Sequence, residues 1–405
     1  MRTLPHMPDG KHPELTEIVA HLEAARDRYM ADLTQVCAID SGSYLKPGID
    51  QVQSVFAERL AGLGFAVEWI VNHEWGDDLI ARKRGSGSAR VLLIGHADTV
   101  YPEGEAARRP VNVQGDQVLG PGTCDMKAGI LTGIYAVEAL DAIGWDGLGQ
   151  LTMLIVSDEE IEQRHSVETI RREGSAHDVV LTLEAARANG DIVTARKATR
   201  WYRIDIAGRA AHAGVEPEKG ASAVLALARI IDAAHGLNGH KRGMTVNAGR
   251  ISGGTNPNVV AAEASVLVDI RAWTNKELEE LAAALQAIVD TEWVAGCTAT
   301  MQLNGGGGMP AMERSPGTVR LEEHCQAIAS ELGFVVKGAS TGGGSDVSIA
   351  VHDGAPGLDG LGPIGGLDHG PYEYIELSSI VPRTALLAGL LMAIAADESL
   401  SGRTT

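Results

Sequence analysis

The sequence of 405 residues predicts an α/β fold that carries a second, smaller α+β domain inserted within it. Short apolar runs suited to buried strands alternate with helical stretches through the first half. From about Thr199 the order changes to strand, helix, strand, strand, helix, strand, which is that of a ferredoxin-like unit. The length also exceeds what one hydrophobic core serves.

The elements follow in chain order. From Thr16 to about Arg28 the apolar spacing is helical, and Val52 to Leu63 reads as a second helix ending near Gly62 and Gly64. Phe65–Val71 and Leu79–Lys83 have strand character, and Gly85–Ser88 is a turn. Val91–Ile94 is fully apolar, as a buried parallel strand requires, and stops at Gly95-His96-Ala97-Asp98. Ala128–Ile143 reads as helix. Leu151–Val156 is a strand ending in Ser157-Asp158-Glu159-Glu160, Val167–Glu173 a helix, and Val179–Leu183 a strand ending in Glu184.

The inserted unit reads as strand Trp201–Ala207, helix Ala221–Ala234, strands Met244–Ile251 and Ala264–Arg271, helix Lys276–Val289 and strand Thr298–Leu303. Gly305–Gly308 is the expected hinge or linker. The chain then returns to α/β character and ends in the apolar helix Val381–Ala396. The predicted division is 1–198 with 304–405 as one domain and 199–303 as the other.

Composition narrows the function classes. The formal net charge of −19 disfavours nucleic acid, whose binding is driven by Lys/Arg and counterion release. With aromatics at 4% of residues, a base-stacking surface is also disfavoured. No apolar run approaches the ~18 residues of a membrane span. The opening MRTLPHMPDGKHPEL lacks a secretory apolar core, so a cytoplasmic location is expected. Cys37, Cys124, Cys297 and Cys325 fit neither zinc spacing nor a disulfide framework, and are expected as reduced, buried thiols.

The chemistry collects at strand ends, where ligands gather in open α/β sheets. His96 ends one strand, and Asp98 can orient its imidazole by accepting the second N–H. Asp125 follows a Gly-rich approach to a helix start; alone, it reads equally as a helix cap. Glu159 and Glu160 are adjacent carboxylates after a buried strand, which repel one another unless a cation or proton intervenes. Glu184 ends a further strand, and His369 lies in a loop near the other end of the chain. Together these carboxylates and imidazoles match the oxygen and nitrogen donors of a catalytic dizinc site.

The successive motifs GHADTVYPEG, GPGTCDMKAG, SDEE, LEA, GRAAHAG and LDHG resemble, in order, those of the dinuclear zinc metallopeptidase family of glutamate carboxypeptidases and aminoacylases. The nearest branch is carboxypeptidase G-like, and the resemblance runs from about Asp40 to Asp397. It implies a phosphorylase/hydrolase-like catalytic domain with a mixed sheet and an inserted dimerisation or lid domain. It also implies two metal ions, zinc with manganese or cobalt as alternatives, bound by His96, Asp125, Glu160, Glu184 and His369. Asp125 would bridge the ions, with His96 and Glu184 on one and Glu160 and His369 on the other.

In the same resemblance Glu159 is the general base toward metal-activated water, and Asp98 orients His96. His212 reaches a partner subunit's site to stabilise the oxyanion, which implies a homodimer. Asn258 and Arg271 hold a substrate carboxylate, although Arg271 also reads as a salt-bridge partner of Asp269. Gly342–Asp346 resembles a Gly-rich loop lining the site. The implied activity is hydrolysis of the amide bond of an N-acyl amino acid or C-terminal amino acid. Alternatives are deacetylation, or removal of an amine from a small aromatic acid, on the same site, and a non-catalytic binding relative.

Departures from the branch concern the surroundings of the ligands. Ile161–Ser166 is bulky and charged where small residues are common, Ala185 stands where Pro is common, and Asp368 stands where an aromatic residue is frequent. Arg164, His165 and Arg200 read either as reporters of a substrate anion or as solvated surface.

Overall fold

The computed structural model describes residues 13–305 and 308–401. The start of the opening segment and the middle of the expected glycine linker, Gly306 and Gly307, lie outside the described residues. The chain divides into two compact units. The first runs up to Thr194 and resumes over Arg314–Ser340 and from Ser345 onward; the second is Ala195–Glu313 with Thr341–Gly344.

The larger unit is built on strands β1 (Ala66–Ile70), β2 (Asp78–Arg84), β3 (Arg90–His96), β4 (Gln150–Val156) and β5 (Val179–Thr182). Their order is β1-β2-β4-β3-β5, and Gly357–Leu358 adds a sixth strand beside β5. β1, β2 and β4 pair antiparallel, whereas β3 runs parallel to both β4 and β5, so the sheet is mixed. β3, β4 and β5 are buried almost throughout, which is why they read as continuous apolar runs rather than alternating ones. Because they are parallel, their carboxyl ends open on the same edge of the sheet.

Helices Pro13–Cys37, Ala128–Ala142 and Ile380–Ala396 pack on one another in this unit. The first is longer than its sequence pattern suggested, because Tyr29, Leu33 and Val36 continue the buried stripe past Arg28. The stretch Leu377–Ala396 does reach the length and apolarity of a membrane span, contrary to the expectation from sequence, and most of it is buried within the protein core. Helix Pro316–Glu331 was not anticipated. Its start carries a recognisable signal, Ser315 accepting from the Thr318 N–H with proline in the first turn.

The smaller unit is an antiparallel sheet in the order Thr245–Gly253, Glu263–Ala272, Ala198–Ala207, Thr298–Leu303. Glu263–Ala272 alternates buried and less buried positions, as expected of a sheet with one covered face. Helices Ala223–His235 and Asn275–Val289 supply the cover, capped by Ser222 and Thr274, each accepting a backbone N–H of the first turn. All four cysteines are free and buried.

Candidate metal centre

The parallel strands deliver ionisable side chains to one edge of the larger unit. β3 ends on His96, β4 leads into Ser157–Glu160, and β5 leads into Glu184. Asp125 lies in the Gly-rich turn before helix Ala128–Ala142. That helix start presses against the end of β5: a Cβ on Gly129 would come within 1.8 Å of the Leu183 carbonyl oxygen, so only glycine fits.

His96 is fully buried. Its Nδ1 faces the Asp98 backbone oxygen at 3.0 Å and the Asp98 carboxylate at 3.3 Å. Nε2 faces Asp125 Oδ1 at 2.9 Å and Glu184 Oε1 at 3.7 Å. Asp98 in turn accepts the Ser43 hydroxyl at 2.7 Å and the backbone N–H groups of Glu159 and Glu160, each at 3.2 Å. One carboxylate thus orients the imidazole and also fixes the start of the paired-glutamate turn.

The second oxygen of Asp125 turns the other way. Oδ2 lies 3.2 Å from His369 Nε2, and the same nitrogen lies 3.1 Å from Glu160 Oε2. His369 sits in a tight turn in which both Leu367 and His369 have left-handed backbone angles, at φ 57° and 58°. Such angles cost non-glycine residues roughly 1–2 kcal/mol and persist where surrounding contacts hold them. Here Tyr101 donates to the Gly370 oxygen or to Glu373, and Arg109 donates to the Gly370 oxygen while stacking on the Tyr101 ring.

Glu373 was not singled out from sequence. It is fully buried and accepts the N–H groups of Gly122 (3.0 Å), Cys124 (2.8 Å) and Asp125 (3.0 Å). It therefore ties the turn carrying Asp125 to the turn carrying His369. In sequence it is one acid among tyrosines in Pro371-Tyr372-Glu373-Tyr374, with no local signal of burial.

The electrostatics follow from the crowding. Burial alone would lower the pKa of His96, but hydrogen bonds to Asp125 and Asp98 reverse this and raise it well above the usual value. Hydrogen bonds to Asp125 and Glu160 push His369 up to about 11. Asp125 is held below the usual carboxylate range: burial works against this, and the His369 and His96 partners outweigh it. Glu159 is raised well above its ordinary value, first by burial and then by the charges of Asp346, Glu184 and Glu160, against an opposing His96. Burial also raises Glu160, and takes Asp346 up to about 7.

Carboxylates outnumber imidazoles here, and buried like charges need an intervening cation or proton. The side chain of Glu160 is 5% exposed, yet its Oε1 has no hydrogen-bond partner among the described residues. His96, Asp125 and Glu184 offer donor atoms within 4.8 Å of one another, as do Asp125, Asp368 and His369. The donor set and the orphaned oxygen fit divalent ions. Asp368 is the member of these groups that sequence did not single out as a donor.

The remaining candidates lie elsewhere. His212, Asn258 and Arg271 belong to the smaller unit. His212 and Asn258 are brought onto adjacent segments by the bridge of His212 to Val259 and the Ala213 N–H to Asn258 oxygen bond of 3.0 Å. Arg271 donates to both oxygens of Asp269 at 2.9 and 3.0 Å and to the Gly342 oxygen at 2.6 Å. Arg200 is engaged by Glu279 at 2.6 and 3.0 Å. His165 points inward to Ser157 at 3.0 Å, with Asp78 and Asp158 beyond, whereas Arg164 is exposed.

Residues 194–297 match the family model of the M20 peptidase dimerisation domain. Carboxypeptidase G2 of Pseudomonas sp. (strain RS-16) is 27% identical over 384 residues, covering 93% of this chain and 92% of that protein. Succinyl-diaminopimelate desuccinylase of Alkalilimnicola ehrlichii is 27% identical, covering 84% of this chain and 92% of its own length. Aminopeptidase PepT of Bacillus cereus shares the fold with a TM-score of 0.78, at 22% identity, over 90% of this chain and 97% of that one. Residues 194–297 thus correspond to an M20 peptidase dimerisation domain, the chain is similar over nearly its whole length to carboxypeptidase G2, and it is a metal-dependent amide hydrolase.

Proposed function

We propose that this protein hydrolyses the amide bond of an N-acyl amino acid or of a C-terminal amino acid, using two divalent ions, zinc first among the candidates. His96 and Glu184 would hold one ion, Glu160 and His369 the other, and Asp125 would bridge them. The observation that carries this reading is the two-sided Asp125 carboxylate, with Oδ1 2.9 Å from His96 and Oδ2 3.2 Å from His369. When bound, such ions lower the pKa of water and polarise the scissile carbonyl.

The protein's own residues supply the rest. Glu159 adjoins Glu160 and is partly buried with a raised pKa, which suits a group that takes a proton and gives it back. It takes one from the attacking water and returns it to the leaving amine. Asp98 keeps His96 in one orientation. His212 from a partner subunit would donate to the developing oxyanion, and the dimerisation-domain match supports a homodimer. Among the described residues Arg271 makes three hydrogen bonds of the five its guanidinium can donate, which supports a role with Asn258 in holding a substrate carboxylate.

The test is a substrate panel on metal-reconstituted protein: acyl-amino acids, peptides ending in glutamate or other residues, and amino-aromatic acids. Release of a free amino acid from acyl or peptidyl substrates is the expected result. Turnover confined to the amino-aromatic acids, or turnover that survives thorough chelation, refutes the reading. Gel filtration at the mass of one chain would refute the shared His212.

A further inference from the structure

Resting on the two-ion reading above, one residue of this chain extends it. In an extended strand, consecutive side chains point to opposite faces. In the Leu367–Gly370 turn they do not: a carboxylate oxygen of Asp368, a ring nitrogen of His369 and a carboxylate oxygen of Asp125 all lie within 4.8 Å of one another. The left-handed Leu367 and His369 flank Asp368 and give the turn this shape.

Asp368 is exposed and, among the described residues, has no hydrogen bond or ion pair of its own. A carboxylate beside another carboxylate without a positive partner is disfavoured unless a cation lies between them. An independent observation points to the same spot. Glu160, 5% exposed, has Oε2 3.1 Å from His369 Nε2 and leaves Oε1 buried without a hydrogen-bond partner. Acceptors from three separate segments thus converge on the His369 side.

We propose that Asp368 is a further metal ligand, joining Asp125, Glu160 and His369. That side then offers three carboxylates and one imidazole, against two carboxylates and one imidazole on the His96 side. Carboxylate oxygen suits hard ions such as Mn²⁺, whereas imidazole suits Zn²⁺ as well. The two positions therefore differ in selectivity, and Asp368 makes the His369 side the one that accepts Mn²⁺ more readily.

The test is titration of metal-free protein with Mn²⁺, counting free ion by electron paramagnetic resonance, on the wild type, Asp368→Asn and Asp368→Glu. Two bound ions are expected in the wild type. Asp368→Asn should weaken one of them by at least ~10-fold, the lower end of what loss of a supporting partner does at metal sites, and leave the other unchanged. Zn²⁺ affinity should fall less, and Asp368→Glu should recover part of the Mn²⁺ loss. Because the side chain is exposed, unchanged melting of the metal-free variants controls for folding. Two ions bound with both constants unchanged in Asp368→Asn overturns the proposal alone; so does a change confined to KM, which would assign Asp368 to substrate. A wild type that binds no Mn²⁺ or Zn²⁺ overturns the two-ion reading itself.

Discussion

The two oxygens of Asp125 face very different surroundings. On one side His96 is 1% exposed, sits at the end of a central strand, and is braced by Asp98, which is itself braced by Ser43 and two backbone N–H groups. On the other, His369 is 53% exposed and rides on a turn with two left-handed residues. One half of the centre is part of the sheet. The other is assembled on it by a surface turn, held from beneath by Glu373, Tyr101 and Arg109. The difference teaches that one carboxylate can join a rigid position to an adjustable one, and that ion binding completes the second more than the first.

The largest expected effect falls on the group that serves both halves. Glu159→Gln should lower kcat by about 10²–10⁴, the usual contribution of a positioned acid–base group. Metal content should not change, because in this reading Glu159 handles the proton and holds neither ion. Wild-type turnover in this variant would remove the base assignment, and loss of an ion would recast Glu159 as a ligand.

Next comes the contrast between the histidines, read on metal-free protein. His96→Ala leaves Asp98, Asp125 and Glu184 without their buried partner and should destabilise by ~3–5 kcal/mol in urea unfolding. His369→Ala removes a half-exposed ion pair and should cost no more than ~1 kcal/mol. Both variants should lose metal. Equal losses of stability would mean that the two sides are not built differently.

How far each half is legible in sequence follows the same division. The apolar runs of β3, β4 and β5 are long enough, and buried enough, to announce parallel strands, so His96, Glu159, Glu160 and Glu184 stand out where those runs stop. The alternation in Glu263–Ala272 likewise announces the smaller unit. His369 needed the motif order, since nothing local distinguishes it from a surface histidine. Glu373 was not legible at all, because its burial is decided by donors some 250 positions earlier, from Gly122 to Asp125. His165 and Arg200 stayed open between two readings for a related reason. Charge in a sequence does not reveal its partner, and here the partners are Asp78 and Asp158 for one and Glu279 for the other.

Glu373 is therefore the place to test what holds the adjustable half. Glu373→Gln turns an amide NH₂ toward N–H groups of the Gly122–Asp125 turn and should cost ~1–3 kcal/mol for the unsatisfied donors. If the residue joins the turns as described, the variant should also bind the ion on the His369 side less well, with a smaller change at the other. A loss of stability with both ion affinities intact would reduce Glu373 to a packing residue.

The smallest effect concerns protons. In metal-free protein the His369 pKa is pushed up to about 11 by Asp125 and Glu160, so the ring is protonated at neutral pH and stabilised in that form. The sign follows: its pairing with these carboxylates is fully present below pH ~6.5, the ordinary histidine value, and fades as pH rises through about 11. An ion needs the neutral ring, so binding must expel that proton. Affinity on the His369 side should accordingly fall as pH falls, by about 1.4 kcal/mol or tenfold per unit for each proton displaced. Calorimetry at pH 7 in buffers of different ionisation enthalpy should count at least one proton released per ion on this side. Ion uptake with no net release would mean that His369 does not enter the ion's coordination, and the contrast between the two faces of Asp125 would lose its basis.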